Sequence, residues 1–308
     1  MSIKTLQATD LPAFLSAIQA SHRLIAPVRD GDLVTLGPVT DPADIVPAAD
    51  YINPRLSFKE FLFPKSEPIL RYGRGGDAFD LTDASTTFPP TVVFGCRPCD
   101  AASLPIMDAL YNWDYKDEFW NARRETTTVV AIACTRADES CFCTALGGSP
   151  SGTAGADILL VPTAPDAYLA EVLTDRGQAL IALAPSAFGD HTGGDLTDDK
   201  QAASQPALDL LPPALDLDGI SQWLADHFED ERWAAYSHKC LGCGCCTYLC
   251  PTCHCFDIVD EGGYKHGQRR KNWDACQFPL CTLHASGHNP RPDQAARWRQ
   301  RLEHKFNY

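Results

Sequence analysis

The sequence lacks any long apolar run, although 44% of its 308 residues are hydrophobic. No stretch of 18 or more consecutive apolar residues occurs, which argues against a membrane-spanning helix. The first residues, MSIKTLQATDLPAFLSAIQ, lack the basic region, apolar stretch and small-residue cleavage site of a secretory signal. From these two absences we expect a cytoplasmic protein without a membrane span.

Positive charge is also scarce, because 26 Lys and Arg stand against 40 Asp and Glu and the formal net charge is −14. Nucleic-acid binding usually needs a basic footprint, so we expect no nucleic-acid partner. The charge is uneven, since residues 265–308 contain nine Lys or Arg and three Asp or Glu. This basic end indicates either a solvated basic helix or a docking face for an acidic partner.

Short nucleotide-binding and hydrolase motifs are missing as well. The sequence contains neither G-x-x-x-x-G-K-[ST] nor G-x-S-x-G. The glycine-rich segment RYGRGGD at 71–77 lacks the G-x-G-x-x-G spacing that cradles a dinucleotide pyrophosphate, and we predict a loop there. No short motif therefore supports a nucleotide or flavin site in this chain.

Cysteine, by contrast, is abundant, with 14 in the chain. In a secreted protein so many cysteines would form a disulfide framework, whereas in the reducing cytosol they are more often metal ligands. Here they are crowded into short runs without a secretory signal, and adjacent Cys245 and Cys246 would be awkward partners for each other. We therefore favour metal ligation.

The densest cysteine run, CLGCGCCTYLCPTCHC at 240–255, contains the pattern C-x2-C-x2-C-x3-C-P. This spacing is that of the bacterial ferredoxin run, in which thiolates hold the irons of a [4Fe-4S] cluster. Zinc is the alternative, but it usually takes two separated C-x2-C pairs. The four cysteines of the pattern are Cys240, Cys243, Cys246 and Cys250.

Two cubane clusters need eight thiolates, and the C-terminal region can supply them. In two-cluster proteins the fourth cysteine of such a run serves the other cluster, so we expect the first three to hold one cube together with a distant cysteine. Cys250 then joins the second cube. Cys245 is left as a buried thiol or a thiol beside the site, although it could replace a neighbouring ligand. A histidine ligand to one iron is chemically possible, but hydrogen bonding or surface placement is the favoured role of His254, His284 and His288. The remaining predicted ligands are Cys253, Cys255, Cys276 and Cys281.

Five further cysteines lie upstream, at the ends of two predicted strands. They could converge on a third metal site, for which an iron–sulfur cluster is preferred to zinc, or they could be small buried core residues. The sequence supports the two interpretations equally. These cysteines are Cys96, Cys99, Cys134, Cys141 and Cys143.

Apolar periodicity predicts alternating strands and helices in the first part of the chain. Short apolar runs predict strands at 33–36, 91–94, 128–133 and 158–161. Helical spacing predicts helices at 10–24, 102–110, 167–173 and 220–238.

These elements predict an α+β fold in three parts. Residues 1–188 form a mixed α/β domain. Residues 189–219, rich in Asp, Thr, Gly, Gln, Ala and Pro, form a linker or insertion. Residues 220–308 form a mainly helical, ferredoxin-like domain that binds two [4Fe-4S] clusters.

Five segments of the chain together resemble one known family. The chain is similar to the beta subunit of cytosolic sulfhydrogenase-type nickel–iron hydrogenases, and equally to the A subunit of anaerobic sulfite reductase. The resemblance runs nearly from end to end. The segments are SFKEFLFPKSE (57–67), FGCRPCDAASL (94–104), CLGCGCCTYLCPTCHCFDI (240–258), RKNWDACQFPLCTLHASGHNPR (270–291) and HKFNY (304–308).

The resemblance implies a two-cluster subunit that relays electrons within a multisubunit oxidoreductase. Its partners would be a flavin-containing, NAD(P)H-oxidising subunit and a separate catalytic subunit of the hydrogenase or sulfite reductase type. The alternatives are a self-sufficient reductase whose N-terminal domain binds a flavin or substrate, and a zinc-stabilised scaffold without redox work.

Overall fold

A computed structural model describes residues 2–76, 78–164 and 166–307. The chain divides into two units, each with its own sheet. The first unit comprises Met1–Leu62 and Thr86–Leu215, and the second comprises Phe63–Ser85 and Asp216–Tyr308. The mixed α/β character that the periodicity predicts is confirmed.

The described residues form the following elements, numbered in chain order. The strands are β1 (Ser2–Gln7), β2 (Arg23–Asp30), β3 (Leu33–Pro38), β4 (Ser66–Gly75), β5 (Ala78–Asp83), β6 (Thr91–Cys96), β7 (Thr127–Ile132), β8 (Ile158–Ala164), β9 (Ala167–Val172), β10 (Phe188–Asp190), β11 (Phe256–Gly262) and β12 (His266–Trp273). The α-helices are α1 (Leu11–Gln19), α2 (Lys59–Leu62), α3 (Pro98–Ala101), α4 (Ser103–Tyr111), α5 (Glu118–Thr126), α6 (Asp175–Ile181), α7 (Leu196–Leu208), α8 (Ile220–Asp226), α9 (Arg232–Ser237), α10 (Cys245–Leu249) and α11 (Gln294–Phe306).

The first unit is built on an eight-stranded sheet with the order β10-β1-β9-β8-β7-β6-β2-β3. Its four middle strands, β8, β7, β6 and β2, are parallel, and antiparallel strands flank them on both sides. Every residue of β6 and β7 is buried, as expected where helices and loops cover both faces of a parallel sheet. Phe14 and Ile18 of α1 are fully buried in the same core as Val92, Val130 and the other apolar residues of these strands.

The second unit is built on a four-stranded antiparallel sheet with the order β11-β12-β4-β5. The hairpin β4–β5 comes from the first third of the sequence and pairs along β12, with Asn272 opposite Ser66 and His266 opposite Gly73. Trp273 anchors this junction, because its backbone N–H donates to Lys65 O at 2.8 Å and its indole N–H donates to Phe63 O at 3.0 Å. The second unit is therefore assembled from two distant segments of sequence.

The C-terminal part of the chain combines helices with this sheet. Residues 220–307 contain α8, α9, α10 and α11, but also β11 and β12. The expectation of a mainly helical domain omitted the sheet, because half of its strands come from residues 66–83. The predicted boundary at 220 likewise left this hairpin in the first domain.

Two local predictions are wrong, for reasons that lie in the tertiary structure. Residues 167–173 were expected to be helical but form β9, since they pair with β8 on one side and β1 on the other. The segment 71–77 was expected to be a loop, but it continues β4 to Gly75, and Gly76 at φ +64° begins the turn into β5. Asp77 lies outside the described residues.

Two predicted helices are shorter than expected. The helix over 220–238 is divided into α8 and α9, because Asp230 accepts a hydrogen bond from Arg232 N at 2.8 Å and starts a new helix. The helix over 10–24 ends at Gln19, and Leu24 lies in β2. The stretch 189–219, expected to be a linker or insertion, contains α7, which Asp195 caps through Thr197 N at 2.7 Å. No helix in the described part of the chain has the length and apolar character needed to cross a membrane.

A buried ion pair joins the two sequence segments of the second unit. The ammonium of Lys271 on β12 lies 3.1 Å from a carboxylate oxygen of Glu67 on β4, and both side chains are 6% exposed. Lys271 also lies over the rings of Phe63 and Phe256, at 5.4 and 5.8 Å. Removal of one partner would leave the other charge buried without its counter-ion.

We predict that Glu67→Ala lowers the free energy of unfolding by about 3–5 kcal/mol, because Lys271 would remain charged in a low-dielectric site. The double variant Glu67→Met with Lys271→Met should recover most of this loss. Urea unfolding of the two variants measures the difference. Loss of the exposed pair of Asp260 and Arg269, 2.8 Å apart on β11 and β12, is the control and should have a much smaller effect. Equal losses in the single and double variants would contradict the prediction.

Candidate iron–sulfur centre

The cysteine run begins where α9 ends and is shaped by two glycines. Cys240 N–H donates to Ser237 O at 2.8 Å, which ties the first cysteine to the last turn of α9. Gly242 and Gly244 have φ of +66° and +72°, the left-handed region that glycine enters without a steric penalty. The helix α10 follows Gly244 and ends at Leu249, and Cys250 lies between the helix and Pro251. The four cysteines of the pattern thus lie on a tight loop and one short helix.

Gly244 is also needed for space. A Cβ atom at this position would lie 2.7 Å from Cε1 of Phe278 and 3.1 Å from Cβ of Ala275. The cysteine loop therefore packs directly against the segment that carries Cys276 and Cys281. A side chain at position 244 would separate the two groups of cysteines.

The last helix, α11, carries two cations to the cysteines. The Lys305 ammonium donates to Cys250 Sγ at 3.1 Å and to Thr252 Oγ1 at 2.9 Å. Arg301 donates to Cys253 Sγ at 3.5 Å and to Cys246 O at 2.9 Å. Positive donors at these distances stabilise sulfur in its thiolate form, which is the form that binds metal.

The side chains of Cys250 and Cys253 share a hydrogen bond beside these cations. A hydrogen bond from the Cys253 thiol, followed by the charge of Lys305, lowers the pKa of Cys250 to about 3. The same contact raises the pKa of Cys253. The hydrogen bond and the charge of Lys305 thus favour the thiolate form of Cys250.

The side chains of Cys255 and Cys276 also share a hydrogen bond. A hydrogen bond from Cys255 lowers the pKa of Cys276 to about 3, with further hydrogen bonds from His304, Thr247 and Gln277. Cys276 is 3% exposed, and its sulfur lies 3.7 Å from Thr247 Oγ1 in α10. Residues far apart in the sequence thus meet at a buried sulfur.

The remaining thiols of the region have less enclosed surroundings. Cys240 Sγ accepts a hydrogen bond from Gln294 Nε2 of α11 at 3.1 Å, and the same amide donates to Gln277 Oε1 at 2.7 Å. Cys243 has a lowered pKa because the backbone N–H and then the thiol of Cys245 donate to it. Burial, followed by the charge and hydrogen bond of neighbouring Asp274, raises the pKa of Cys281 to about 12.

The three histidines noted in the sequence make local hydrogen bonds. His254 Nδ1 lies 3.1 Å from Thr252 O. The backbone N–H of His284 donates to His288 O at 2.8 Å, and the two rings lie 5.3 Å apart. The roles of the three histidine side chains stay predictions. His304, which touches Cys276, is a neighbour that the sequence did not single out.

The helix α11 supplies the site residues that sequence reasoning missed. Gln294, Arg301, His304 and Lys305 all contact cysteine sulfur, although none of them is a predicted ligand. The signal was the excess of basic residues over 265–308. These basic residues can donate to sulfur only because α11 packs against the cysteine run, and the sequence does not show that packing.

The donor set is of the kind that an iron–sulfur cluster takes. None of the 14 cysteines forms a disulfide in the described chain. Within the described residues no three His, Cys, Asp or Glu side chains converge closely enough to hold one metal ion. Many thiols spread over one small region, with N–H and cationic donors aimed at sulfur, are what a multi-iron cluster requires.

The five upstream cysteines lie in the first unit. Cys96 is the last residue of β6 and is fully buried, and Cys99 lies in α3. Cys134 follows β7, and Cys141 and Cys143 lie in the next loop, all three half-buried.

The C-terminal segment belongs to a recognised class of domain. Residues 239–308 match the family model described as 4Fe-4S dicluster domain. The cysteine run therefore lies within an iron–sulfur domain, as its spacing predicts. The number of clusters and the role of each cysteine stay predictions.

A relative that covers most of the chain is also found. The chain is 29% identical over 291 residues to sulfhydrogenase 2 subunit beta of Pyrococcus furiosus, and the match covers 94% of this chain and 84% of that protein. The resemblance indicated by the five sequence segments is confirmed. No solved structure matches the chain.

Gly244→Ala should disrupt the site more than an equivalent substitution elsewhere. We predict a loss of about 1–3 kcal/mol from overpacking against Phe278, in addition to about 1–2 kcal/mol for the left-handed backbone. The matched control is Gly219→Ala, because Gly219 has φ +75° and a Cβ atom there would have no neighbour within 4 Å, so that backbone strain alone remains. Urea unfolding and iron content of the two variants provide the comparison. Equal stability and equal iron content would refute the proposed close approach.

Proposed function

We propose that this chain is an iron–sulfur electron-transfer subunit of a multisubunit oxidoreductase and that its second unit holds two [4Fe-4S] clusters. The observation that carries the proposal is the contact of two cationic side chains with cysteine sulfur within a segment that matches a dicluster domain. Such clusters supply one-electron oxidation and reduction at potentials set by their surroundings. The side chains of this site hold and tune sulfur, and none of them need act as acid, base or nucleophile.

The two hydrogen-bonded cysteine pairs support one division of the ligands between the two cubes. Cys250 and Cys253 share a hydrogen bond, as do Cys255 and Cys276, and these four would hold the second cube. The other four, Cys240, Cys243, Cys246 and Cys281, would hold the first cube. This division keeps the sequence rule that the fourth cysteine of the run serves the other cluster. Cys245 then remains outside both cubes as a donor to Cys243.

The cations of α11 favour the reduced state of the second cube. Lys305 and Arg301 donate to the sulfurs of Cys250 and Cys253. Positive charge and hydrogen bonds to sulfur stabilise added negative charge, and they therefore raise the reduction potential. The net basic end of an otherwise acidic chain would serve this purpose in addition to any docking role.

The catalytic centre would lie in another subunit. The similarity to a sulfhydrogenase beta subunit supports a complex of the hydrogenase type, in which this chain relays electrons between a flavin- and NAD(P)H-binding subunit and the catalytic subunit. A sulfite reductase complex is the other arrangement that the resemblance allows. Exposed apolar side chains beside the cysteines, such as Leu241 at 92% and Leu280 at 72%, would suit contact with a partner.

Cys243→Ala should remove one cluster, whereas Cys245→Ala should leave both. We expect the anaerobically purified Cys243→Ala chain to contain about four fewer irons and sulfides than the wild type. Cys245→Ala is a matched control, because the two residues are both exposed and lie two positions apart in the same run. In the assembled complex, electron flux from NAD(P)H should be lost in the first variant and retained in the second. Unchanged flux in Cys243→Ala would contradict the relay.

Lys305→Met should lower the reduction potential of one cluster. Loss of one charged hydrogen bond of about 1.5 kcal/mol corresponds to a decrease on the order of 60 mV for a one-electron couple. Potentiometric titration followed by electron paramagnetic resonance measures the shift. Lys116→Met, at an exposed position of the first unit, is the control and should leave the potentials unchanged. A potential that stays constant or rises in Lys305→Met would contradict the role of this ammonium.

A further inference from the structure

Four upstream cysteines lie around one end of the sheet of the first unit. The neighbouring strands β6 and β7 are parallel, and the carboxyl end of β6 leads into α3 with Cys99. Cys134 follows β7 by two residues. The carboxyl ends of parallel strands are where α/β sheets commonly bind ligands. The placement of these two thiols thus follows from the topology.

The loop 148–155 holds Cys99, Cys134 and Cys143 in one neighbourhood. Cys134 N–H donates to Pro150 O at 2.9 Å, and Gly148 N–H donates to Cys143 O at 2.9 Å. The same loop passes against α3 so closely that a Cβ atom on Gly155, at φ +75°, would lie 2.0 Å from Ala101 O. The loop thus contacts the backbone of Cys134 and Cys143 and that of α3, the helix that contains Cys99.

Cys141 is brought to the same place by the segment 48–53. Asn53 Nδ2 lies 3.5 Å from Cys141 Sγ. The preceding residues of this segment are bonded to Arg97, which donates from Nε to Ile52 O at 2.6 Å and from Nη2 to Ala48 O at 2.9 Å. Arg97 is 4% exposed and lies two residues before Cys99. The segment thus links Cys141 to the start of α3.

The thiols are close enough to influence one another electrostatically. Burial, opposed by Arg97 and joined by the thiols of Cys143 and Cys141, raises the pKa of Cys134 to about 11. Burial, together with Asp100, Cys134 and Cys143, raises the pKa of Cys99 to about 12. These mutual effects agree with the placement derived from the hydrogen bonds.

We propose that Cys99, Cys134, Cys141 and Cys143 of the first unit hold a third [4Fe-4S] cluster. The buried guanidinium of Arg97 supplies positive charge near Cys134, where it offsets part of the repulsion between neighbouring thiolates. Cys96 is left out of the ligand set because it lies within β6, paired with Ala131 of β7, whereas the four proposed ligands lie beyond the ends of the strands. This proposal rests on residues of the first unit and is independent of the clusters proposed for the second.

The test is the iron, acid-labile sulfide and zinc content of the full chain purified without oxygen. We expect about 12 irons and 12 sulfides in the wild type and in Cys96→Ala, and about eight of each in Cys143→Ala, a loss of one third. Cys96→Ala is the matched control, since it removes a thiol from the same region without removing a ligand. Cys141→Ala, at a half-buried loop position, should show the same loss and guards against misfolding of Cys143→Ala.

Each outcome bears on the proposal. A wild-type content of about eight irons, or an iron content unchanged in both loop variants, would overturn it, as would zinc bound in stoichiometric amount and lost in those variants. About four irons that disappear in Cys143→Ala and persist in Cys243→Ala would support the third site and contradict the clusters of the second unit. Failure of the two proposals can therefore be told apart.

Discussion

Crowded thiolates repel one another, and the structure of the second unit is organised around that constraint. Nine cysteines fall within residues 240–281. The chain is acidic, yet its last helix brings the cations Arg301 and Lys305 to cysteine sulfur at 3.5 and 3.1 Å. Amide donors such as Gln294 serve the same end, because a hydrogen bond to sulfur spreads its negative charge. The packing of α11 against the cysteines therefore accounts for part of the positive charge at the end of the chain.

The rest of the second unit keeps these groups in place. Trp298 of α11 packs against Trp233 and Tyr236 of α9, with ring centroids 6.1 Å apart in each case. This aromatic contact joins the helix that enters the cysteine run to the helix that supplies its cations. The hairpin β4–β5 extends β11 and β12 into a four-stranded sheet, and the buried pair of Glu67 and Lys271 secures the junction. A strand pair alone would be only marginally stable in water.

Features that depend on local residue spacing can be predicted from the sequence, whereas the pairing of distant segments cannot. The run from Cys240 to Cys250 is local, so its chemistry can be read from the printed residues. The buried strands β6, β7 and β8 also follow from their continuous apolar residues. Residues 167–172 carry a pattern that suits either structure, and pairing with β8 and β1 decides for a strand. The contribution of 66–83 to the second unit, and of α11 to the cysteines, is non-local and leaves no periodic signal. The proposed third site depends likewise on non-local contacts, those of the loop 148–155 with Cys134, Cys143 and α3.

The account of the second unit is tested most directly by electron paramagnetic resonance of the Cys143→Ala chain, purified without oxygen and reduced in steps. In this variant the proposed third site no longer contributes. We predict two reducible [4Fe-4S] signals, each integrating to about one spin per chain and each lost in one of the ligand variants Cys243→Ala and Cys250→Ala. A chain that shows no reducible cluster signal, or that contains zinc in place of iron, would contradict the electron-transfer role.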